Sequence, residues 1–202
     1  MQTRGMEDHM KKVALFGGGF DPIHYGHLNL AVQMKEKHKL DEIYFCPAYC
    51  SPHKKGSPPV ASGQDRLNMV KTLIDEVDGF FSYDFEIKRE SLSYTIDTLE
   101  SLALPDRELY LILSDDVFYG LARWEKVDEV LEIAQPLVGK RKGDTLNIPK
   151  KWEKRFNEGL TQTSMVEISS TEIRARLKNN LYCGHLVPKQ VLDYIHKKSL
   201  YS

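Results

Sequence analysis

The stretch KKVALFGGGFDPIHYGHLNL, from Lys11 to Leu30, decides the fold of this 202-residue chain. It begins with a short apolar run that ends in glycine, which is typical of a buried strand. From Gly26 onward, apolar residues recur at the spacing of an amphipathic helix. The stretch therefore predicts a strand, a glycine-rich turn and a helix in direct succession.

The same alternation continues along the chain. Buried strands are predicted at DEIYFCPA, LYLIL and PLVGK, and helices at QDRLNMVKTLIDEV, YTIDTLESL and SSTEIRARLKNN. FFSYDFEIK has the period-two pattern of a strand, residues 141–163 are expected to cross the surface, and MVEI (165–168) is expected to return as a strand. Pro188 marks the start of a last helix. Such repeated units predict an α/β fold with a Rossmann-like, doubly wound, mostly parallel sheet and helices on both faces.

Length and composition limit the functions that the chain can have. A chain of this size buries one core, so residues 11–202 are predicted to form a single domain after a flexible leader over residues 1–10. The net charge of -1 gives no electrostatic reason to expect nucleic acid as a partner. The apolar runs are too short to span a membrane, and the odd set Cys46, Cys50 and Cys183 indicates reduced thiols. The sequence therefore favours a cytoplasmic protein without membrane or nucleic-acid partners, predicts no metal site, and leaves a homo-oligomer open.

The glycine-rich turn favours a phosphate ligand. Glycines after a buried strand let the backbone approach a ligand closely, and the start of the next helix presents free N–H groups and a positive dipole end. The turn does not match the G-x-G-x-x-G dinucleotide pattern, because Phe20, Asp21 and Pro22 follow the glycines, and no Walker lysine follows. We therefore expect a different kind of phosphate loop.

Two histidines follow the glycines. His24 and His27 are three residues apart, so if the helix begins near Pro22 their imidazoles converge from one face of its first turn. Two such hydrogen-bond donors can stabilise the charge that develops on a phosphate during transfer. The alternative is a pair of solvated or capping histidines on a structural helix.

Two motifs resemble one superfamily. GGGFDPIHYGH resembles the signature of nucleotidyltransferases with a (T/H)-x-G-H motif, and VEISSTEIRARL resembles their second signature, I-S-S-T-x-I-R. A strand that ends at Ile168 and a helix that starts at Ser170 create another anion site, with a capping box between Ser169 and Glu172. Arg174 lies one turn into this helix and can bind phosphate. We therefore expect Arg174 to face the two histidines across one pocket.

Further matches resemble one branch, the bacterial nicotinate-nucleotide adenylyltransferases. They are PAYCSPHKK, SYTIDTL, LSDDVFYGLARW and LVPKQVLDYIHKKSLY, so the resemblance extends from Lys12 over nearly the whole chain. It implies transfer of the adenylyl group of ATP to nicotinate mononucleotide, which gives deamido-NAD and pyrophosphate, with Mg²⁺ carried by ATP. No general base is needed, because the attacking phosphate is already ionised.

The resemblance implies overlapping sets of site residues. The catalytic set is His24, His27, Lys54 and Arg174. The ATP-binding set is Gly17, Gly18, Gly19, Phe20, His24, His27, Arg141, Ile168, Ser169, Ser170, Thr171 and Arg174. The acceptor-binding set is Phe20, Lys54, Thr95, Ser114, Asp116 and Trp124.

In the implied acceptor site, the Trp124 indole stacks on the nicotinate ring, and Thr95 with nearby backbone amides receives the nicotinate carboxylate. Asp116 matches an aspartate that binds a ribose hydroxyl, although the neighbouring Asp115 leaves open which of the two acids points into the site. Core filling by Trp124 and a solvated loop position for Lys54 are the alternatives.

Three positions depart from the family pattern. Gly19 stands where Ser or Thr is usual, Ser114 stands where glycine is usual, and Arg141 is followed by Lys142 rather than proline. There are two rival interpretations. One is a related transferase for nicotinamide mononucleotide or phosphopantetheine, and the other is a nucleotide-binding sensor without turnover. Class I tRNA synthetases share the histidine motif, but the chain lacks their length and the basic surface expected for tRNA.

Overall fold

The computed structural model describes residues 10–52, 58–140, 146–164 and 166–202, with the side chains of Asp115 and Asp116 left out. Lys54, Arg141 and most of the predicted leader therefore lie outside the described residues. Within the described part, no helix has both the length and the apolar character needed to cross a membrane.

The described strands form one parallel sheet. They are β1 (Lys11–Gly18), β2 (Glu42–Pro47), β3 (Phe80–Ser82), β4 (Arg107–Leu113), β5 (Gln135–Lys140) and β6 (Leu160–Gln162). Their order is β3-β2-β1-β4-β5-β6, and every described pair is parallel. The chain winds outward from β1 in one direction and then from β4 in the other, so the strand order reverses between β1 and β4. In such sheets ligands bind at the carboxyl ends of the strands at this reversal.

Helices cover both faces of the sheet. They are α1 (Tyr25–His38), α2 (Gly63–Ile74), α3 (Phe85–Arg89), α4 (Thr95–Leu102), α5 (Asp115–Gly120), α6 (Val127–Ile133), α7 (Glu153–Gly159), α8 (Ser170–Lys178) and α9 (Lys189–Lys197). Successive side chains of a strand point to opposite faces. In β1, Ala14 and Phe16 belong to a core that α1, α2, α8 and α9 close, whereas Val13 and Leu15 belong to a core that α4, α6 and α7 close. The predicted doubly wound α/β fold is confirmed.

The prediction of a strand at residues 165–168 was wrong. Met165 lies outside the described residues, and the residues after it carry no strand. The sixth strand is instead Leu160–Gln162, inside the predicted surface excursion, where Leu160 aligns with Val138 of β5. The chain then leaves the sheet because Ser164 is tied to α1: its carbonyl accepts from Asn29 Nδ2 at 2.6 Å, and its N–H donates to Gln33 Oε1 at 2.8 Å.

The predicted strand FFSYDFEIK was only partly right. Strand β3 ends at Ser82, and α3 begins at Phe85. The helical turn buries the side chain of Glu86, whose carboxylate accepts a 2.7 Å hydrogen bond from Thr98 Oγ1 of α4. A strand continued through this segment would not present Glu86 to α4 in the same way, so a tertiary hydrogen bond has overridden the local pattern.

Candidate active site

The glycine run lies at the carboxyl end of β1. A Cβ atom added at Gly17 or Gly19 would meet no atom of the described residues within 4 Å, so the backbone has open space there. At Gly18 the Phe20 ring comes within 3.0 Å of such a Cβ, and Phe20 itself is buried with a φ of 48°. The left-handed turn at Phe20 therefore places its ring over Gly18 and redirects the chain toward α1.

The two histidines lie at the start of α1. The helix begins at Tyr25 rather than near Pro22, which makes His24 the N-cap residue and His27 a residue of the first turn. Their rings stack with centroids 3.7 Å apart and planes 26° apart. Gly26 makes room for this stack, because a Cβ there would lie 3.1 Å from the His24 ring and 3.2 Å from the Val166 carbonyl oxygen. The imidazoles converge as expected.

Burial keeps both histidines neutral at physiological pH. Desolvation lowers the pKa of His24 to about 4, and it lowers the pKa of His27 well below the ordinary value, with a further contribution from His24. The His24 backbone N–H donates to His27 Nδ1 at 3.3 Å. Because Nδ1 of His27 is then an acceptor, the ring proton of its neutral form resides on Nε2, where it can be donated to a ligand. His24 Nδ1 is buried and has no hydrogen-bond partner among the described residues.

The second motif packs directly against this loop. Arg174 Nη1 donates to the Asp21 carbonyl at 2.7 Å, and Ser170 Oγ donates to the Pro22 carbonyl at 2.9 Å. The Arg174 side chain stays 26% exposed, so its guanidinium also faces solvent at the edge of the site. Its Nη2 donates to Thr171 Oγ1 at 3.2 Å. The structure thus brings together the two motifs that the sequence separates by most of the chain.

The predicted capping box of α8 is corrected by these contacts. Ser169 is the N-cap residue, but its side chain makes no capping hydrogen bond. Ser170 makes the contact to the first motif instead. Ile168 is partly buried against the core on the α1 face. The start of α8 is thus held to the first loop by tertiary contacts.

The candidate acceptor residues approach from the other face of the sheet. Thr95 is the first residue of α4, Ser114 is the N-cap of α5, and Trp124 follows the 3₁₀ turn Leu121–Arg123. The Trp124 indole is partly buried against the core on the α4 face. Because α5 follows β4 directly, these elements lie at the carboxyl edge, beside the reversal of strand order. The structure leaves Asp116 without a described side chain and Lys54 outside the described residues.

Sequence reasoning missed three polar side chains under the loop: Asp21, Arg66 and Tyr201. The Asp21 carboxylate accepts from Tyr201 Oη at 2.7 Å. The guanidinium of Arg66, a residue only 1% exposed, donates to the carbonyls of Gly19 at 2.8 Å and Ala61 at 3.2 Å. Burial lowers the pKa of Arg66, while the charge of Asp21 opposes that shift. The signal in the sequence was an arginine within the apolar periodicity of α2, where a buried charge requires partners.

A groove of about 490 Å³ lies at the opposite, amino edge of the sheet. Its lining includes Arg107 and Arg155, but Glu108 and Glu158 balance their charge. The groove therefore lacks the cationic character that a triphosphate requires. The chemistry of the glycine loop, rather than the size of a concavity, locates the candidate active site.

The comparisons with known proteins identify the family of the chain. Residues 15–176 match the family model described as Cytidylyltransferase-like, which spans both motifs. The chain belongs to this family. It is also 35% identical over 198 residues to a Clostridium botulinum protein named "Probable nicotinate-nucleotide adenylyltransferase", covering 95% of this chain and 98% of that protein. Within the family, the chain is a member of the nicotinate-nucleotide adenylyltransferases.

Further relatives support the same grouping. A Dehalococcoides mccartyi protein of the same name is 40% identical over 199 residues, with 94% of this chain and 97% of that protein covered. Among solved structures, the nicotinic acid mononucleotide adenylyltransferase of Plasmodium falciparum, complexed with NaAD, has a TM-score of 0.74 at 22% identity. That match covers 95% of this chain and 97% of the other, and it supports the fold.

Proposed function

We propose that the chain transfers the adenylyl group of ATP to nicotinate mononucleotide, giving deamido-NAD and pyrophosphate. The observation that carries the proposal is the stack of two neutral imidazoles at the start of α1, together with Arg174, whose guanidinium donates to the Asp21 carbonyl of the preceding loop. Two hydrogen-bond donors and one cation at a helix N-terminus suit a phosphate that gains charge during transfer. The names of the curated relatives support the choice of substrates.

In the proposed reaction, the protein aligns two polyanions. The backbone of Gly17 to Phe20 and the start of α1 receive the triphosphate, and Ile168 to Thr171 close the other side. His24 and His27 donate hydrogen bonds to the α-phosphate, while Arg174 stabilises the negative charge that moves to pyrophosphate. The acceptor phosphate attacks the α-phosphorus as its ionised form, so no side chain has to remove a proton.

The proposed acceptor site lies on the other side of the strand reversal. Trp124 stacks on the nicotinate ring, and Thr95 with the first amides of α4 binds the nicotinate carboxylate. Phe20, Lys54, Ser114 and Asp116 complete this set, and Arg141 completes the set for ATP. A carboxamide would lack the negative charge that the start of α4 favours, which gives a reason for selectivity against nicotinamide mononucleotide.

Mg²⁺ is proposed as part of the ATP substrate, where it offsets the charge of the triphosphate. Among the side chains that the structure describes, no three His, Cys, Asp or Glu residues are grouped to hold a metal. The chain's own contribution in this proposal is the cationic Arg174 and the donors of the glycine loop.

The cellular compartment and the domain organisation of the enzyme are also proposed. Cys46, Cys50 and Cys183 are free thiols, which suits a reducing compartment, and we propose the cytoplasm. Residues 11–202 are proposed to act as one domain, because α8 and α9 close the same core as α1.

The proposal is tested by pyrophosphate release from ATP with three acceptors in parallel: nicotinate mononucleotide, nicotinamide mononucleotide and phosphopantetheine. The first should give the highest kcat/KM. A preference for either of the others would contradict the proposed acceptor, and ATP binding without turnover on any of them would indicate a sensor.

The role of the indole is tested with Trp124→Ala. It should raise the KM for nicotinate mononucleotide roughly tenfold, the loss of about 1.4 kcal/mol of stacking, while changing the KM for ATP less than threefold. Tyr119→Ala is the matched control, because this aromatic residue of α5 is 68% exposed. An unchanged acceptor KM in the Trp124 variant would assign the indole to the core alone.

A further inference from the structure

The carboxylate of Asp21 joins segments that are distant in sequence. It lies in the phosphate loop between Phe20 and Pro22 and is only 7% exposed. Among the described residues, three groups donate to it: the Val60 N–H at 2.8 Å, the Ala61 N–H at 3.1 Å and the Tyr201 hydroxyl at 2.7 Å. A buried carboxylate with three donors is well satisfied, so its position is fixed by its partners.

The three donors come from two segments that are distant in sequence. Val60 and Ala61 end the segment between β2 and α2, which also carries Lys54. Tyr201 lies 180 residues from Asp21 and is itself buried in the core on the α1 face. The backbone carbonyl of Asp21 meanwhile accepts from Arg174.

Two arginines flank this carboxylate. Arg174 Nη1 lies 3.8 Å from Asp21 Oδ2, and Arg66 holds the carbonyls of Gly19 and Ala61 on either side of the junction. Negative charge on Asp21 is thus offset by a partly exposed arginine on the substrate side and by a buried arginine beneath the loop. Displacing Asp21 would move the phosphate loop, Arg174 and the segment before α2 together.

We propose that Tyr201 is a positioning residue for the adenylyl transfer. It acts through Asp21 to hold the phosphate loop and the histidine pair in a fixed position relative to Arg174. This inference rests on the proposed function for its kinetic effect, although the geometry it invokes belongs to the free protein. Tyr201 does not touch the substrates in this proposal. Its hydroxyl holds the Asp21 carboxylate in place, and Asp21 in turn holds the phosphate loop.

The first test compares Tyr201→Phe with Tyr194→Phe. Both variants lose one hydroxyl from the same stretch of chain, but Tyr194 donates to Asp65 at 2.9 Å and accepts from Asn68 at 2.9 Å, both on α2 and away from the loop. A loop displacement of about half an ångström should lower kcat roughly tenfold in Tyr201→Phe, because alignment of the reacting groups is lost. The KM for ATP should stay within threefold, since the backbone donors remain. Tyr194→Phe should keep the wild-type kcat within twofold.

The second test needs no substrate. In ¹H–¹⁵N spectra of the imidazole rings, Tyr201→Phe should shift the signals of His24 and His27 in the ligand-free protein, and Tyr194→Phe should leave them in place. If the wild type shows no turnover with nicotinate mononucleotide, the proposed function fails while these spectra still decide the positioning role. Unmoved signals together with a kcat equal to that of Tyr194→Phe would overturn the inference.

The melting temperature of each variant is measured alongside both tests, so that loss of the fold is distinguished from displacement of the phosphate loop in a folded protein. If Tyr201→Phe does not fold, Val60→Pro removes a different donor to the same carboxylate from a position that is 66% exposed. It should shift the same imidazole signals, and wild-type spectra in a folded Val60→Pro protein would equally overturn the inference.

Discussion

Acidification should destabilise the protein through the buried histidine pair, and His24 allows the size of the effect to be worked out. Its pKa falls from the ordinary 6.5 to about 4 because burial disfavours the imidazolium. Between these two values the unfolded chain binds more protons than the folded chain. The stability that neutral His24 provides is therefore fully present above pH 6.5 and is lost as the pH falls toward 4.

With these two pKa values, the loss between pH 7.5 and pH 5 is about 2 kcal/mol for His24 alone. His24→Asn removes the titrating group and keeps a residue suited to an N-cap. The free energy of unfolding, measured with urea at both pH values, should fall about 2 kcal/mol further in the wild type than in the variant. His196→Asn, an exposed position on α9, is the matched control and should follow the wild type.

One outcome of comparing His24→Asn with the wild type would contradict the prediction. If His24→Asn and the wild type lose the same unfolding free energy between pH 7.5 and pH 5, to within about 0.5 kcal/mol, His24 does not titrate differently in the folded and unfolded states. The inference that both imidazoles stay neutral hydrogen-bond donors would then lose its basis.

Three further outcomes are expected. His27→Ala should lower kcat by two orders of magnitude or more with a folded protein by circular dichroism, and turnover within a few-fold of wild type would refute its role toward the α-phosphate. Arg174→Lys should raise the KM for ATP roughly tenfold, because a lysine ammonium cannot replace the planar guanidinium that donates to both the Asp21 carbonyl and Thr171 Oγ1. An unchanged KM for ATP would contradict this role of the guanidinium. Gly159→Ala should destabilise the fold by about 2 kcal/mol or more in urea denaturation, because a Cβ there overlaps the Pro136 carbonyl oxygen, and wild-type stability would disprove that close approach.

The sequence predicted the sheet well where strands are long and buried. In β1 and β4, buried residues follow one another without interruption, since parallel strands covered on both faces carry apolar side chains on both. It failed at β6, whose three residues are too few to show a period. It also failed at α3, where the burial of Glu86 against Thr98 outweighs a strand-like pattern.

The candidate site likewise contains one feature that the sequence predicted and one that it did not. The spacing of His24 and His27, with a helix expected to begin near Pro22, predicted that their imidazoles converge. The imidazoles do converge, although α1 begins at Tyr25 and His24 is its N-cap residue. Spacing gave no sign of Tyr201, whose partner lies 180 residues away. The predicted roles of the site residues remain predictions for the experiments above.

The sequence by itself determined the long buried strands and most of the helices, the glycine turn and the family, because these depend on local periodicity and on short motifs. The tertiary structure alone decided that Asp21, in the loop before the histidine pair, joins Ala61, Tyr201 and Arg174. The physical reason is that a buried carboxylate must find its donors wherever the fold supplies them, and those donors come from segments that no local pattern connects.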